Sequence, residues 1–183
     1  NGSAGDVLGR LVAGLPGQHT ILNGTIDGTF PAHHPDPTVP KNLEQIVARV
    51  RAEGADVGIA TDGDADRFGI IDDACRSVSP NLAIALLVDY LLNRRRLRGG
   101  VGRTLATTRL VDRVARAAGC PVHETPVGFH FFGPMLLSGE VVVATEESAG
   151  LGVASHLPER DGIYAALLVA EMLAVEGASL SEL

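Results

Sequence analysis

The apolar positions of the chain fall into short blocks separated by Gly, Pro and Asp clusters, and the period within each block predicts an element. After a turn-forming start, Asn1-Gly2-Ser3-Ala4-Gly5, the residues Val7, Leu8, Leu11, Val12 and Leu15 recur at helical spacing until Pro16-Gly17 stops them. The short run His19–Leu22 predicts a strand. Residues 23–42 hold four Pro and two Gly and predict a loop. Loops of that length are uncommon unless they are functional or packed in place. Leu43, Ile46, Val47 and Val50 then share one face of a helix predicted from about Asn42 to Glu53 and ended by Gly54. Val57–Ala60 and Phe68–Ile71 predict two strands joined by a tight polar turn, the pattern of an antiparallel hairpin.

A polar stretch, 74–80, leads to Pro80, which suits the first turn of a helix. That helix, 81–93, is apolar almost all round (Leu82, Ile84, Leu86, Leu87, Val88, Leu91, Leu92) and is expected to be buried on two sides. A basic loop over 94–103 precedes an alternating series. It runs strand Thr104–Thr108, helix Leu110–Ala118 ended by Gly119, strand Pro121–Thr125, helix Phe129–Leu137 and strand Val141–Thr145. The last element is a helix over Asp161–Val175, with Asp161 placed to cap it. This rhythm predicts an α/β protein of two small α/β/α units with mixed sheets, meeting near residues 74–80. A Gly-rich turn opening a helix normally follows a strand in such architectures, so the chain reads as starting at the end of its first strand.

Composition narrows the function classes. Of 183 residues, 45% are apolar, enough for a real core and too many for a disordered chain. No stretch approaches the roughly 18 uninterrupted apolar residues of a membrane span. A net charge of −7 disfavours non-specific nucleic-acid binding, and 4% aromatics without Trp disfavour a base-stacking platform. Cys75 and Cys120, the two cysteines, read as reduced thiols of a cytoplasmic protein.

The sharpest chemical signal is Thr61-Asp62-Gly63-Asp64-Ala65-Asp66-Arg67. Three carboxylates alternate with two tiny residues that let the backbone fold so that all three converge. Such charges repel unless a cation compensates them, and an oxygen-only set suits a hard cation, Mg²⁺ or Ca²⁺, rather than zinc. The plainer alternative is a solvated acidic turn. An EF-hand loop fits poorly, because it wants Gly and Glu where this chain has Arg67 and Asp73, and helices where the flanks read as strands. A second signal, Thr145-Glu146-Glu147-Ser148-Ala149-Gly150, follows a strand end, where α/β proteins place ligands. Carboxylate and hydroxyl together can grip sugar hydroxyls, although an ordinary polar loop fits as well. Pro126-Val127-Gly128-Phe129-His130 is a weaker third, since a lone His is commonly structural. Ser155-His156 is a decoy, because neighbours in a strand do not face each other and no strand-to-helix elbow surrounds the serine.

Taken in order, these pieces resemble the α-D-phosphohexomutase family, the phosphoglucomutases and phosphomannomutases. Residues 62–67 (DGDADR) resemble its metal-binding loop, 145–150 (TEESAG) its sugar-binding loop, 126–132 (PVGFHFF) its PVGFK segment and 157–173 the helix start that follows the sugar loop. Residues 1–5 and 28–43 match in order and spacing as well. The resemblance places residues 1 to about 77 in the family's second domain and about 78–183 in its third. The first domain, which carries the phosphorylated serine, and the fourth, which grips substrate phosphate, have no counterpart in the 183 residues.

The resemblance implies reversible phosphoryl transfer between the 1- and 6-positions of a hexose phosphate, through a phosphoserine and a sugar bisphosphate that reorients. Asp62, Asp64 and Asp66 would hold Mg²⁺, with a phosphoserine oxygen as a further ligand. The metal would neutralise charge on the transferring group, which is the main source of rate in such catalysis. Arg67 and His130 would be the catalytic side chains, Arg67 orienting the transferring group. Glu146 and Ser148 would hold sugar hydroxyls in either orientation. Two positions depart from the family's pattern: His130 stands where Lys is common, and Thr145 where Gly is common. The first exchanges a permanent charge for a group that titrates near a pH of about 6.5. Without its partner domains, the chain is expected to be inactive. Two other readings stay open on the residues alone: a non-catalytic module derived from a mutase, and a Mg²⁺-dependent phosphoryl-transfer enzyme of another α/β family.

Overall fold

In the computed structural model, which describes residues 1–183, the predicted hairpin forms: β1 (Val57–Thr61) pairs antiparallel with β2 (Phe68–Asp72), Thr61 opposite Phe68 and Val57 opposite Asp72. Before it come α1 (Ala4–Val12) and α2 (Glu44–Glu53), the latter entered through a 3₁₀ turn at Pro40–Leu43. Gly54 ends α2 in the left-handed region, φ 61°, where a residue without Cβ meets no penalty. A two-residue strand, β3 (Ser77–Val78), closes the first sheet in the order β1-β2-β3.

This first sheet is antiparallel throughout, not mixed as expected. His19–Leu22, the one segment available as a further strand, forms none. It lies against α2 instead. Thr20 Oγ1 donates to Glu53 Oε2 at 3.0 Å, Asn23 Nδ2 donates to Gln45 Oε1 at 2.9 Å, and Ile21 is exposed. These are side-chain contacts with α2, and the segment joins neither sheet.

The long helix α3 (Pro80–Asn93) starts as predicted, with Pro80 in its first turn and Ser79 Oγ accepting from the Leu82 N–H at 3.3 Å. The second sheet follows. It comprises β4 (Gly100–Thr104), β5 (Val122–Thr125), β6 (Val141–Thr145) and β7 (Leu151–Val153) in the order β5-β4-β6-β7. β4 is parallel to β5 and β6, and β7 returns antiparallel to β6, so this sheet is mixed. α4 (Leu110–Ala117) connects β4 to β5, and a 3₁₀ turn (Phe129–Phe131) running into α5 (Phe132–Ser138) connects β5 to β6.

The first strand of this sheet lies at 100–104, not at 104–108. Gly100, Gly102 and Arg103 hide it, because none of them looks like a buried strand residue. Gly102 is required there: a Cβ would stand 2.7 Å from the Phe132 ring. Arg103 is buried because Asp112 and Glu124 both pair with its guanidinium.

The polar stretch 74–80 separates the two sheets but not the core. α6 (Gly162–Glu176), capped by Asp161 Oδ1 accepting from the Tyr164 N–H at 2.8 Å, packs back onto β1 and β2 as well as on α3. One apolar cluster therefore runs from Phe68 and Ile70 of β2 through Ile84, Leu87 and Leu91 of α3 to Leu168 and Val169 of α6. Each such side chain, fully buried, contributes roughly 1.5–3 kcal/mol. The two sheets thus share one continuous apolar core. It brings the β1–β2 turn against the loop after β6: Arg67 and Gly150 form an antiparallel bridge, and the Gly162 N–H donates to the Ala65 carbonyl at 2.9 Å.

Candidate active site

The acidic turn is held in a cradle of backbone. The Ser3 N–H donates to the Gly63 carbonyl at 3.0 Å, and the Phe30 ring lies beside Gly63. Gly162, at the start of α6, comes so close that a Cβ there would meet the Arg67 carbonyl at 2.3 Å. Ala65 adopts a left-handed backbone, φ 66°, as does Ala149, φ 68°, in the loop after β6. Left-handed alanines are uncommon and carry a cost of order 1 kcal/mol, so their surroundings must hold them there. The small residues read from the sequence thus do shape both loops.

Asp62, Asp64 and Asp66 converge, each offering one carboxylate oxygen within 4.8 Å of the others. Asp62 is buried, Asp66 half-buried and Asp64 exposed. Burial pushes the Asp62 carboxyl up, but the Arg67 Nε–H and N–H bonds and the Arg67 charge outweigh it, so this group sits below the usual carboxylate range. Asp66 behaves oppositely. Burial, with repulsion from Asp62 and Asp64, pushes it up to about 6 against the pull of Arg160. Three carboxylates of the turn thus face two guanidinium groups, Arg67 and Arg160. Hard oxygen donors in that state fit Mg²⁺.

Arg67 faces three carboxylates. Its Nε lies 2.8 Å from Asp62 Oδ2 and 3.8 Å from Asp66 Oδ1, and an Nη lies 3.6 Å from Asp36 Oδ1. Asp36 is set by its own turn, accepting from the Thr38 N–H at 2.9 Å and Thr38 Oγ1 at 2.7 Å, while Asn42 Nδ2 donates to the Asp36 carbonyl. The long proline-rich loop is thus packed in place, and it delivers a carboxylate that the sequence did not single out.

The loop after β6 presents Glu146 buried, with Glu147 and Ser148 half-buried. Burial lifts the Glu146 carboxyl above its ordinary range, helped by the Glu147 charge and opposed by Arg160. Glu147 Oε2 accepts from Thr104 Oγ1 at 2.7 Å, and Thr104 is linked to Thr107 at 2.8 Å, so the end of β4 fixes this side chain. Thr145 Oγ1 donates to the Gly102 carbonyl at 3.0 Å, tying β6 to β4. His130 is exposed, with its ring 4.1 Å from that of Phe131. Neither His130 nor Ser148 makes a side-chain hydrogen bond or ion pair with the other predicted site residues; the backbone before His130 turns at Gly128, next to Glu146. Ser155 forms no pair with His156, whose Nε2 lies 2.8 Å from Asp161 Oδ2 and whose ring stacks on Tyr164.

Arg160 escaped sequence reasoning. One of its terminal nitrogens lies 2.6 Å from Asp66 Oδ2 and the other 3.0 Å from Glu146 Oε2, joining the acidic turn to the second loop. A signal was present: Arg160 is the only Arg or Lys after Arg116, in a stretch rich in Glu and Asp.

Comparison with known proteins places this geometry. The family description "phosphoglucomutase/phosphomannomutase, alpha/beta/alpha domain II" matches residues 1–75, and that of domain III matches residues 79–183. The chain is 34% identical over its whole length to a phosphoglucomutase/phosphomannomutase of Thermococcus kodakarensis, of which it spans 40%. It superimposes with a TM-score of 0.90 on a provisionally named phosphomannomutase of Thermus thermophilus, at 33% identity, covering 99% of this chain and 42% of that one. A phosphoglucomutase/phosphomannomutase family protein of Burkholderia thailandensis gives a TM-score of 0.85 at 29% identity, covering 95% of this chain and 38% of that one. The chain thus spans about two fifths of the length of these relatives. Matched over both halves by its domain descriptions, it belongs to the phosphoglucomutase/phosphomannomutase family.

Proposed function

We propose that the chain forms the metal- and sugar-binding part of a phosphohexomutase, with residues 1–77 as the metal-binding unit and 78–183 as the sugar-binding unit. The whole protein would interconvert hexose 1- and 6-phosphates in the cytoplasm, a setting that suits two free cysteines. The observation that carries this reading is the juxtaposition of the acidic turn and the Glu146–Ser148 loop through the Arg67–Gly150 bridge. A phosphoryl group near the turn and a sugar on the loop would lie next to each other, as transfer between them requires.

Asp62, Asp64 and Asp66 would hold Mg²⁺, which when bound supplies charge neutralisation at the transferring phosphoryl group. Arg67, fixed by Asp62 and Asp36, keeps a permanent positive charge at the lip of the turn and would orient the phosphoryl oxygens. Glu146 and Ser148 would accept and donate hydrogen bonds to sugar hydroxyls. Glu147, held by Thr104, would limit how far that loop yields. His130, exposed, would meet the sugar phosphate through an imidazole N–H. The family's first and fourth domains would supply the phosphoserine and the grip on substrate phosphate.

The 183-residue chain is therefore expected to bind a sugar bisphosphate with an affinity of about a millimolar at best, since a few hydrogen bonds at roughly 0.5–1.5 kcal/mol each must offset immobilisation. Titration with glucose 1,6-bisphosphate in Mg²⁺, followed by backbone amide shifts, tests it. Shifts at 62–67 and 145–150, lost in Glu146→Ala, are expected, with no turnover of glucose 1-phosphate. Turnover by this chain that survives Asp64→Ala would contradict the assigned metal role.

A further inference from the structure

Arg160 holds a position that none of the roles above uses. It sits in the loop between β7 and α6, immediately before the Asp161 cap. Its guanidinium bridges Asp66 Oδ2 at 2.6 Å and Glu146 Oε2 at 3.0 Å, carboxylates belonging to different sheets. The guanidinium carbon lies 5.8 Å from the centre of the Phe129 ring, in the segment that leads to His130. Its stem fills the space over Gly150, where a Cβ would meet Arg160 Cδ at 2.5 Å. Nε is buried and without a hydrogen-bond partner, even though Glu159 Oε1 stands 3.6 Å away. A buried donor left unpaired costs roughly 1–3 kcal/mol, so the side chain is held here by its two terminal contacts and not by a fully satisfied network.

We infer that Arg160 is a positioning residue that couples the acidic turn to the Glu146 loop, so that a divalent cation bound at the turn changes how Glu146 is held. A planar guanidinium with one nitrogen on each carboxylate cannot shift toward one without loosening its hold on the other. A divalent cation on Asp66 draws charge from that carboxylate and repels the guanidinium, which then closes on Glu146. The coupling is reciprocal: a ligand that draws Glu146 away from Arg160 strengthens the guanidinium's hold on Asp66 and opposes the metal. This rests on the metal reading of the turn, although the bridge itself does not.

The rival route is the backbone, through the Arg67–Gly150 bridge and the Gly162–Ala65 hydrogen bond, which need no Arg160 side chain. NMR on the 183-residue chain separates them. In a Mg²⁺ titration, the Arg160 Nε–Hε signal and the 146–150 amides are expected to move with the same midpoint as the 62–67 amides. In Arg160→Met the turn is expected to respond still, while the loop loses its response. A turn that saturates while Arg160 Hε and the loop stay still overturns the coupling, as does an undiminished loop response in Arg160→Met. Asp66→Asn without metal gives an independent reading that also covers an unfolded Arg160→Met. Movement of Arg160 Hε and the 146–150 amides supports the coupling, and their indifference overturns it. No Mg²⁺ response at the turn, together with a clear Asp66→Asn effect on the loop, sinks the metal reading alone.

Discussion

The Arg67 Nε–H donates to Asp62 Oδ2 at 2.8 Å, and the Arg67 backbone N–H donates to Asp62 Oδ1 at 3.1 Å, so one residue satisfies both oxygens of a buried carboxylate. The ends of the β1–β2 turn are thereby locked together, and Asp64 and Asp66 are carried between them. Without the guanidinium, Asp62 keeps its burial and loses its main counter-charge.

Arg67→Met is accordingly expected to cost about 1–3 kcal/mol, the range for a charge-assisted hydrogen bond and the carboxylate it leaves behind. The pH dependence has a definite sign. Asp62 is held below its unfolded value, so its contribution is present above the unfolded value near 3.8 and disappears as pH falls through the folded one. Urea unfolding at pH 7 and pH 3 checks both points: the gap between wild type and Arg67→Met should narrow in acid.

Asp66 titrates the other way. Its folded value, about 6, lies above the unfolded 3.8, so its contribution is fully present below pH 3.8 and is lost as pH rises through about 6 in the absence of metal. Mg²⁺ must displace that proton. Its affinity is expected to rise from pH 5 to about pH 6.5 and then flatten, which calorimetry at a series of pH values would show. Asp66→Asn should remove this pH dependence along with most of the affinity.

Thr104 donates to Glu147 Oε2 and is linked to Thr107, and both threonines are buried. Thr104→Val keeps the shape and removes the hydroxyl. A loss of about 1–3 kcal/mol in thermal or chemical unfolding is expected, with the 146–148 amides shifted. An unchanged loop spectrum would show that Glu147 is fixed by something other than β4.

Asp161→Ala removes the N-cap of α6, whose carboxylate accepts from the Tyr164 N–H at 2.8 Å. The expected cost is about 1 kcal/mol. Because α6 covers both the first sheet and α3, the whole domain should unfold at a lower urea midpoint in one transition, without a fraying step confined to the second sheet.

What the sequence made legible was local. The turn 62–67 could be read because three carboxylates and two tiny residues lie within six positions, and the carboxylates do converge. α3 and α6 could be read from Pro80, Asp161 and unbroken apolar runs. What escaped depends on pairings between distant residues. Arg103 reads as a loop cation until Asp112 and Glu124 close around it, and that misplaced β4 by four residues. His19–Leu22 has strand-like residues, but Thr20 and the following Asn23 bond to side chains of α2 and the segment joins no ladder. Arg160 and Asp36 reach the site through long-range contacts that no local spacing records. His130 was nominated on resemblance, and its ring lies on Phe131.

The central claim is that Asp62, Asp64 and Asp66 form a hard-cation site. Mn²⁺, which shares the oxygen-rich octahedral preference of Mg²⁺, reports its own position by paramagnetic broadening. Substoichiometric Mn²⁺ added to the 183-residue chain should broaden the amides of 62–66 first and those of 146–150 and 160–162 next, reversed by excess Mg²⁺ and abolished in Asp64→Asn. Broadening centred elsewhere on the chain, or broadening at the turn that Asp64→Asn leaves intact, would contradict the account.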